Sequence, residues 1–141
     1  MYTHTVKTVS QAYCHLFFHC CMDDTSSRRV ETAFAAARFV EGGLNSNTDL
    51  NKEMEKYKLY KPFVTDETRY LQYLAGVIDP VNPLTLYFYC TEIILCEGTI
   101  TGREDMLLKN IAYVLEISNT KQSHARKIVR EIKTMEAQWA Y

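Results

Sequence analysis

The sequence predicts an all-α fold, a compact bundle of about seven helices in one domain spanning residues 1–141. Three observations carry this. Only three prolines and five glycines occur, and they fall at apparent breaks. Between the breaks, apolar residues recur at three- and four-residue steps, the spacing that gathers side chains on one helical face. Finally, 47% hydrophobic and 23% charged residues are an ordinary globular mixture, in a chain long enough for one sizeable core and too short for two.

The first helix is expected from Thr5 to Met22, with Val6, Val9, Tyr13, Leu16, Phe17 and Cys20 on one face. The second runs from Arg28 to Glu41. Ser26 or Ser27 can cap its orphan amides, Gly42-Gly43 can supply a left-handed exit, and Ala33, Phe34, Ala37 and Val40 form its buried face. After the polar linker Asn45–Thr48 comes a third helix, Asp49 to Leu59. Its apolar side is thin (Leu50, Met54, Tyr57, then Tyr60), and Lys52, Glu53, Glu55, Lys56 and Lys58 predict a solvated surface. Thr65 caps a fourth helix, Asp66 to Ile78, in which Leu71, Leu74, Ala75 and Ile78 are spaced for burial and flanked by Tyr70 and Tyr73.

Asp79-Pro80-Val81-Asn82-Pro83 is the clearest break. Asn82 can cap, and Pro83 suits the first helical position, where no amide hydrogen is needed. The fifth helix, to Cys96, is apolar around most of its circumference and should be central; its length and proline start favour helix over a buried strand. Thr101-Gly102-Arg103-Glu104 has the form of a capping box, opening a sixth helix through Leu107, Leu108, Ile111, Val114 and Leu115. The last helix starts near Thr120, with Ala125, Ile128, Val129, Ile132, Met135 and Trp139 as its inner face.

A net charge of -1 argues against a large nucleic-acid surface while leaving room for a local basic stripe. Five cysteines, with Cys20 and Cys21 adjacent and no Cys-x-x-Cys, fit reduced core residues better than a disulfide framework or a zinc ribbon. The N-terminal residues lack the pattern of a signal peptide, and the most apolar stretch, Leu84 to Cys96, is short of the roughly 20 residues a span needs. A cytoplasmic location and no membrane partner are therefore expected.

The chain also carries an internal echo. An apolar helix, an acidic turn and a second helix occur around Asp23-Asp24 and again around Glu97-Gly98. Asp24 precedes Glu31 by seven residues, as Glu97 precedes Glu104, and the units lie about 73 residues apart. The echo predicts a bundle of two pseudo-repeated halves. The second unit, Glu97-Gly98-Thr99-Ile100-Thr101-Gly102-Arg103-Glu104 followed by Leu107, Leu108, Ile111 and Val114, resembles the TerB-like family, which includes the tellurite-resistance protein TerB and the N-terminal domain of the DjlA co-chaperones. Glu97 stands where that family usually has Asp. In the first unit Thr25 replaces the expected Gly and Ser27 the expected Ile, so the likeness covers about 30 residues well. It implies a seven-helix, non-enzymatic, stress-related binding module. It also implies a divalent cation, such as calcium, held by the positions of Asp24, Glu31, Glu97 and Glu104.

Other candidate sites follow from the residues themselves. The acidic turns also suit plain helix capping, because carboxylates are favoured at helix N-termini. His15 and His19 share a helix face opposite the Val6/Tyr13/Phe17 stripe, which predicts solvent exposure or a contact with another chain; with Asp23 they could form a transition-metal site in a small metalloenzyme. Neighbouring cysteines point elsewhere on the helix, so no nucleophilic dyad is formed. Arg126, Lys127, Arg130 and Lys133, with Lys121, lie opposite the apolar face of the last helix and suit an acidic protein partner, with nucleic acid as the rival. Tyr2, Tyr57, Tyr60, Tyr70, Tyr73 and Tyr141 could line a contact surface. The reading is a non-catalytic interaction module, monomeric or weakly dimeric.

Overall fold

The structure, a computed structural model, describes residues 1–21, 27–97 and 100–139; of Ser27 and residues 137–139 it describes the backbone alone. Asp23 and Asp24, the cap Ser26, the predicted end at Met22, and Tyr141 lie outside the described residues. Within them the chain is helical and strandless: α1 (Tyr2–Thr5), α2 (Val9–Cys21), α3 (Ser27–Leu44), α4 (Leu50–Tyr60), a 3-10 turn (Lys61–Phe63), α5 (Glu67–Ile78), α6 (Pro83–Ile94), α7 (Gly102–Val114) and α8 (Asn119–Trp139). The all-α bundle is as predicted, with one more α-helix than expected.

The extra helix is α1, a short turn ahead of the predicted first helix, which itself begins late, at Val9. Thr8 begins α2: its hydroxyl accepts from the Gln11 amide at 3.1 Å, and the Gln11 side chain accepts from the amides of Thr8 and Lys7 at 3.1 and 3.0 Å. Thr8-Val9-Ser10-Gln11 is thus a second capping box, which stops α2 from reaching back to Thr5. The other caps are local and strong. Asp49 accepts from Lys52, Asn82 from Thr85, and Thr101 exchanges both bonds with Glu104. Asp66, not Thr65, caps α5, so this helix begins one residue late. α3 runs through Gly42-Gly43 to Leu44, and Asn45 takes the left-handed conformation (φ 54°) that ends it.

The axis of the bundle is α2, which packs against α3, α4, α5 and α6. Ten of its thirteen residues are buried. Phe17 and Phe18 anchor the core with Tyr70, Leu74, Tyr87, Ile93, Leu107 and Leu108 from other helices. The expected central helix, α6, is buried along Leu86, Tyr87, Cys90, Ile93 and Ile94 and bridges α2 to α3, α7 and α8. α8 lies at the edge. Ala125 and Val129 are buried, but Ile128, Ile132 and Met135 are 47%, 42% and 54% exposed, so half of the predicted inner face has no cover. α8 packs chiefly on α6, and Ile128 and Ile132 stand on the flank of α8 beside its line of contact rather than on it.

Candidate functional site

Two polar centres lie inside the α2–α4–α5 interface. His15 and His19, one turn apart on α2, are 0% and 5% exposed, which corrects the expectation that they face solvent. A single-stripe reading assumed one buried face; α2 is enclosed on all sides, and α4 and α5 bring polar groups to its other side. Glu53, expected among solvated charges, is buried at 5% exposure for the same reason.

Around His15 the hydrogen bonds form a directed chain. Glu53 is a carboxylate: burial pushes its proton affinity up, but hydrogen bonds from His15 and Lys56 outweigh this and hold it below the usual range. A carboxylate only accepts, so His15 Nε2 donates to Glu53 Oε1 (2.9 Å). Burial lowers the basicity of His15, against a smaller opposing pull from Glu53, so the ring is neutral and Nδ1 accepts from the Tyr60 hydroxyl (2.6 Å). The Tyr60 oxygen then accepts from Tyr70. Burial raises the pKa of both tyrosines, which keeps their protons in place.

His19 repeats the arrangement. Its Nε2 donates to Glu67 Oε2 (3.0 Å), and its Nδ1 shares a hydrogen bond with the Tyr57 hydroxyl (2.8 Å). The bond from His19 lowers the Glu67 pKa against the opposing effect of burial. Tyr2, Tyr57, Tyr60, Tyr70 and Tyr73 wrap the two centres; the Tyr2 ring lies 4.9 Å from Tyr70 and 5.4 Å from Tyr73. The predicted tyrosine surface is therefore an interior one at Tyr57, Tyr60 and Tyr70, with Tyr2 and Tyr73 at its margin.

A third polar contact joins α2 to the end of α3. Glu41, buried, accepts from Ser10 Oγ at 3.2 Å and from the Cys14 thiol at 3.8 Å. Burial first, then the negative charge of Glu41, pushes the Cys14 thiol up to about 12, so it stays protonated at neutral pH. All five cysteines are buried and unbridged.

The acidic turns behave differently from one another. Glu104 is buried: it forms an ion pair with Arg29 and accepts from the Thr101 amide at 2.8 Å, and these contacts keep its pKa low against burial. Arg29 also donates to the Ile94 carbonyl (3.0 Å), so the start of α3, the end of α6 and the start of α7 meet at one guanidinium. Glu31 and Glu97 are exposed. Among the described residues no group of three or more His, Cys, Asp or Glu side chains is placed to hold a metal ion.

On α8, Arg126 donates to Asp105 at 2.7 Å and Lys133 to the Cys96 carbonyl at 3.0 Å. Both hold α8 to the body. Lys127 and Arg130 project outward, and among the described residues neither forms an ion pair. Ser123, Arg126, Lys127, Arg130, Glu131, Thr134 and Met135 follow one another along this open side of the helix. No protein-family model, curated protein or solved structure matches this chain. The reading of its surfaces therefore rests on their own chemistry. No described helix is long and apolar enough to cross a membrane.

Proposed function

We propose that the chain is a non-catalytic interaction module whose working surface is α8, and that its partner is a protein segment carrying acidic side chains around apolar anchors. The supporting observation is the uncovered flank of Ile128, Ile132 and Met135 beside the outward Lys127 and Arg130. Apolar residues left in steps of four and three on a helix are the anchors of a helix-in-groove contact. Charge selects the partner. Residues 119–139 hold five basic and two acidic side chains, while the whole chain carries a net -1, so a basic edge stands on an acidic body.

The interior chemistry favours the same reading. The imidazoles, Glu104 and the Cys14 thiol are each engaged with a partner on another helix: His15 with Glu53 and Tyr60, His19 with Tyr57 and Glu67, Glu104 with Arg29, and the Cys14 thiol with Glu41. Photo-crosslinking tests the proposal. A photoreactive residue replacing Ile132, in the full chain expressed in its own host, should capture a protein through an acidic segment. The same group replacing the exposed Gln72 of α5 should not, and Lys127→Glu with Arg130→Glu should abolish the capture. Equal labelling from both positions, or capture unaffected by the charge reversals, would reject the proposal.

A further inference from the structure

A second surface lies where α4 passes into the 3-10 turn. Leu59, Phe63 and Met1 are 76%, 62% and 57% exposed, placing three large apolar side chains on one corner. They border an open, mainly apolar hollow of about 420 Å³, completed by Thr5, Lys56 and Tyr60. Lys52, Lys56, Leu59 and Phe63 follow one another in steps of four, three and four, so two cations continue the apolar flank.

The charge around this corner is one-sided. The four cations between residues 50 and 63 are lysines, against two acids, so the segment carries a net +2; Glu53 is buried against His15 and takes up Lys56 as its ion-pair partner, with Glu55 on the outside. Lysine is a compact, hydrated point charge that fits a diffuse layer of anionic headgroups, in contrast to arginine with its directed fork.

We propose that this corner rests on an anionic bilayer surface, with Leu59, Phe63 and Met1 entering the interface and Lys52, Lys56 and Lys58 meeting the headgroups. The contact is peripheral, and it does not depend on the reading of α8. It combines a short apolar wedge with local positive charge, and the strength of such a contact scales with the apolar area buried and with the attraction to anionic lipids.

Flotation of the full chain with vesicles tests this. The chain should float with phosphatidylcholine vesicles containing about one third phosphatidylserine and stay behind with phosphatidylcholine alone, and added salt should release it. Leu59→Glu with Phe63→Glu should weaken partition by about tenfold or more. Phe39→Glu, at a side chain 72% exposed on α3, should leave it unchanged. Lys52→Gln with Lys58→Gln should weaken it by about thirtyfold, two lysines' worth of headgroup attraction. Circular dichroism identifies any variant that fails to fold, and the lysine pair then decides. The proposal is overturned if the native chain does not float with anionic vesicles, or if neither folded pair changes the partition. It is equally overturned if Lys127→Glu with Arg130→Glu alone abolishes flotation, because the contact then belongs to α8.

Discussion

Replacing Glu53 by leucine tests the polar chain through α2. The substitution removes the acceptor of His15 Nε2 in a site where the imidazole is fully buried. A buried donor left without a partner costs about 1–3 kcal/mol, and more when the lost partner was charged. The Lys56 ion pair, whose lysine is 37% exposed on its side chain, and the 3.4 Å contact from Gln11 add about 0.5 kcal/mol at most. The expected loss is about 2–4 kcal/mol, a large share of the 5–15 kcal/mol that stabilises a typical domain. For a chain of this length that lowers Tm by roughly 6–12 °C. Urea unfolding followed by circular dichroism at pH 7 measures it. The double variant His15→Leu with Glu53→Leu should lose less than the two single losses combined, by about 1–3 kcal/mol, because neither partner is then stranded. A Glu53→Leu protein within about 0.5 kcal/mol of the native chain, or strictly additive losses, would refute the directed chain from Tyr70 to Glu53.

Further outcomes follow from the same geometry. Acid should destabilise in two stages. His15 has a folded pKa below its ordinary 6.5, so its unfolded form binds the proton first and stability declines as pH drops below that value; Glu53 and Glu67, held below 4.5, lose their contribution as pH falls through their folded pKa values. Stability curves between pH 8 and pH 3 that stay flat from pH 7 to pH 5 would contradict the first stage. Arg29→Met should cost about 3–5 kcal/mol by leaving Glu104 buried and unpaired, whereas Arg29→Met with Glu104→Met should recover much of it; denaturant midpoints report both. Ile132→Glu should change stability by less than about 0.5 kcal/mol, and Val129→Ala should lower it by about 2 kcal/mol, separating the open flank of α8 from its packed one in a melting experiment. Calcium or EDTA should leave Tm unchanged, since Arg29 and Thr101 already occupy the Glu104 carboxylate; a calcium-dependent rise would bring Asp24 and Glu97 back as ligands.

The sequence was most legible where signals are local. Asn82-Pro83 and Thr101–Glu104 mark helix starts because a cap needs only three or four residues, and both are found in the structure, whereas Asp49, expected as the first residue of its helix, is instead its cap. Thr8–Gln11 is equally local but is masked by the apolar stripe that runs across it from Val6. Gly42-Gly43 misled because glycine is tolerated within a helix, and its left-handed freedom was not needed when Asn45 could supply the turn. The buried centres were illegible for a different reason. The partners of His15 and His19 stand 38 to 48 residues away on other helices, and no periodicity within α2 records which neighbour will cover its far side. For α8 the difference runs the other way: the stripe from Ala125 to Met135 is continuous, but how much of its width is covered depends on which helices reach α8, and that is not written in α8 itself.

The paired histidines also bear on how the bundle avoids folding out of register. Aromatic and aliphatic surfaces interlock almost as well after one helix slides by a turn, since α2 offers Phe17, Phe18 and Leu16 to several neighbours. Its imidazoles do not share that tolerance. Each must find one phenol and one carboxylate, and a one-turn slip of α2 that brings one imidazole onto the other's partners would strand the second imidazole, with one phenol and one carboxylate, in a dry interior. The histidines thus act as two keys cut for adjacent locks, rejecting near-native alignments that oil-like contacts alone would accept.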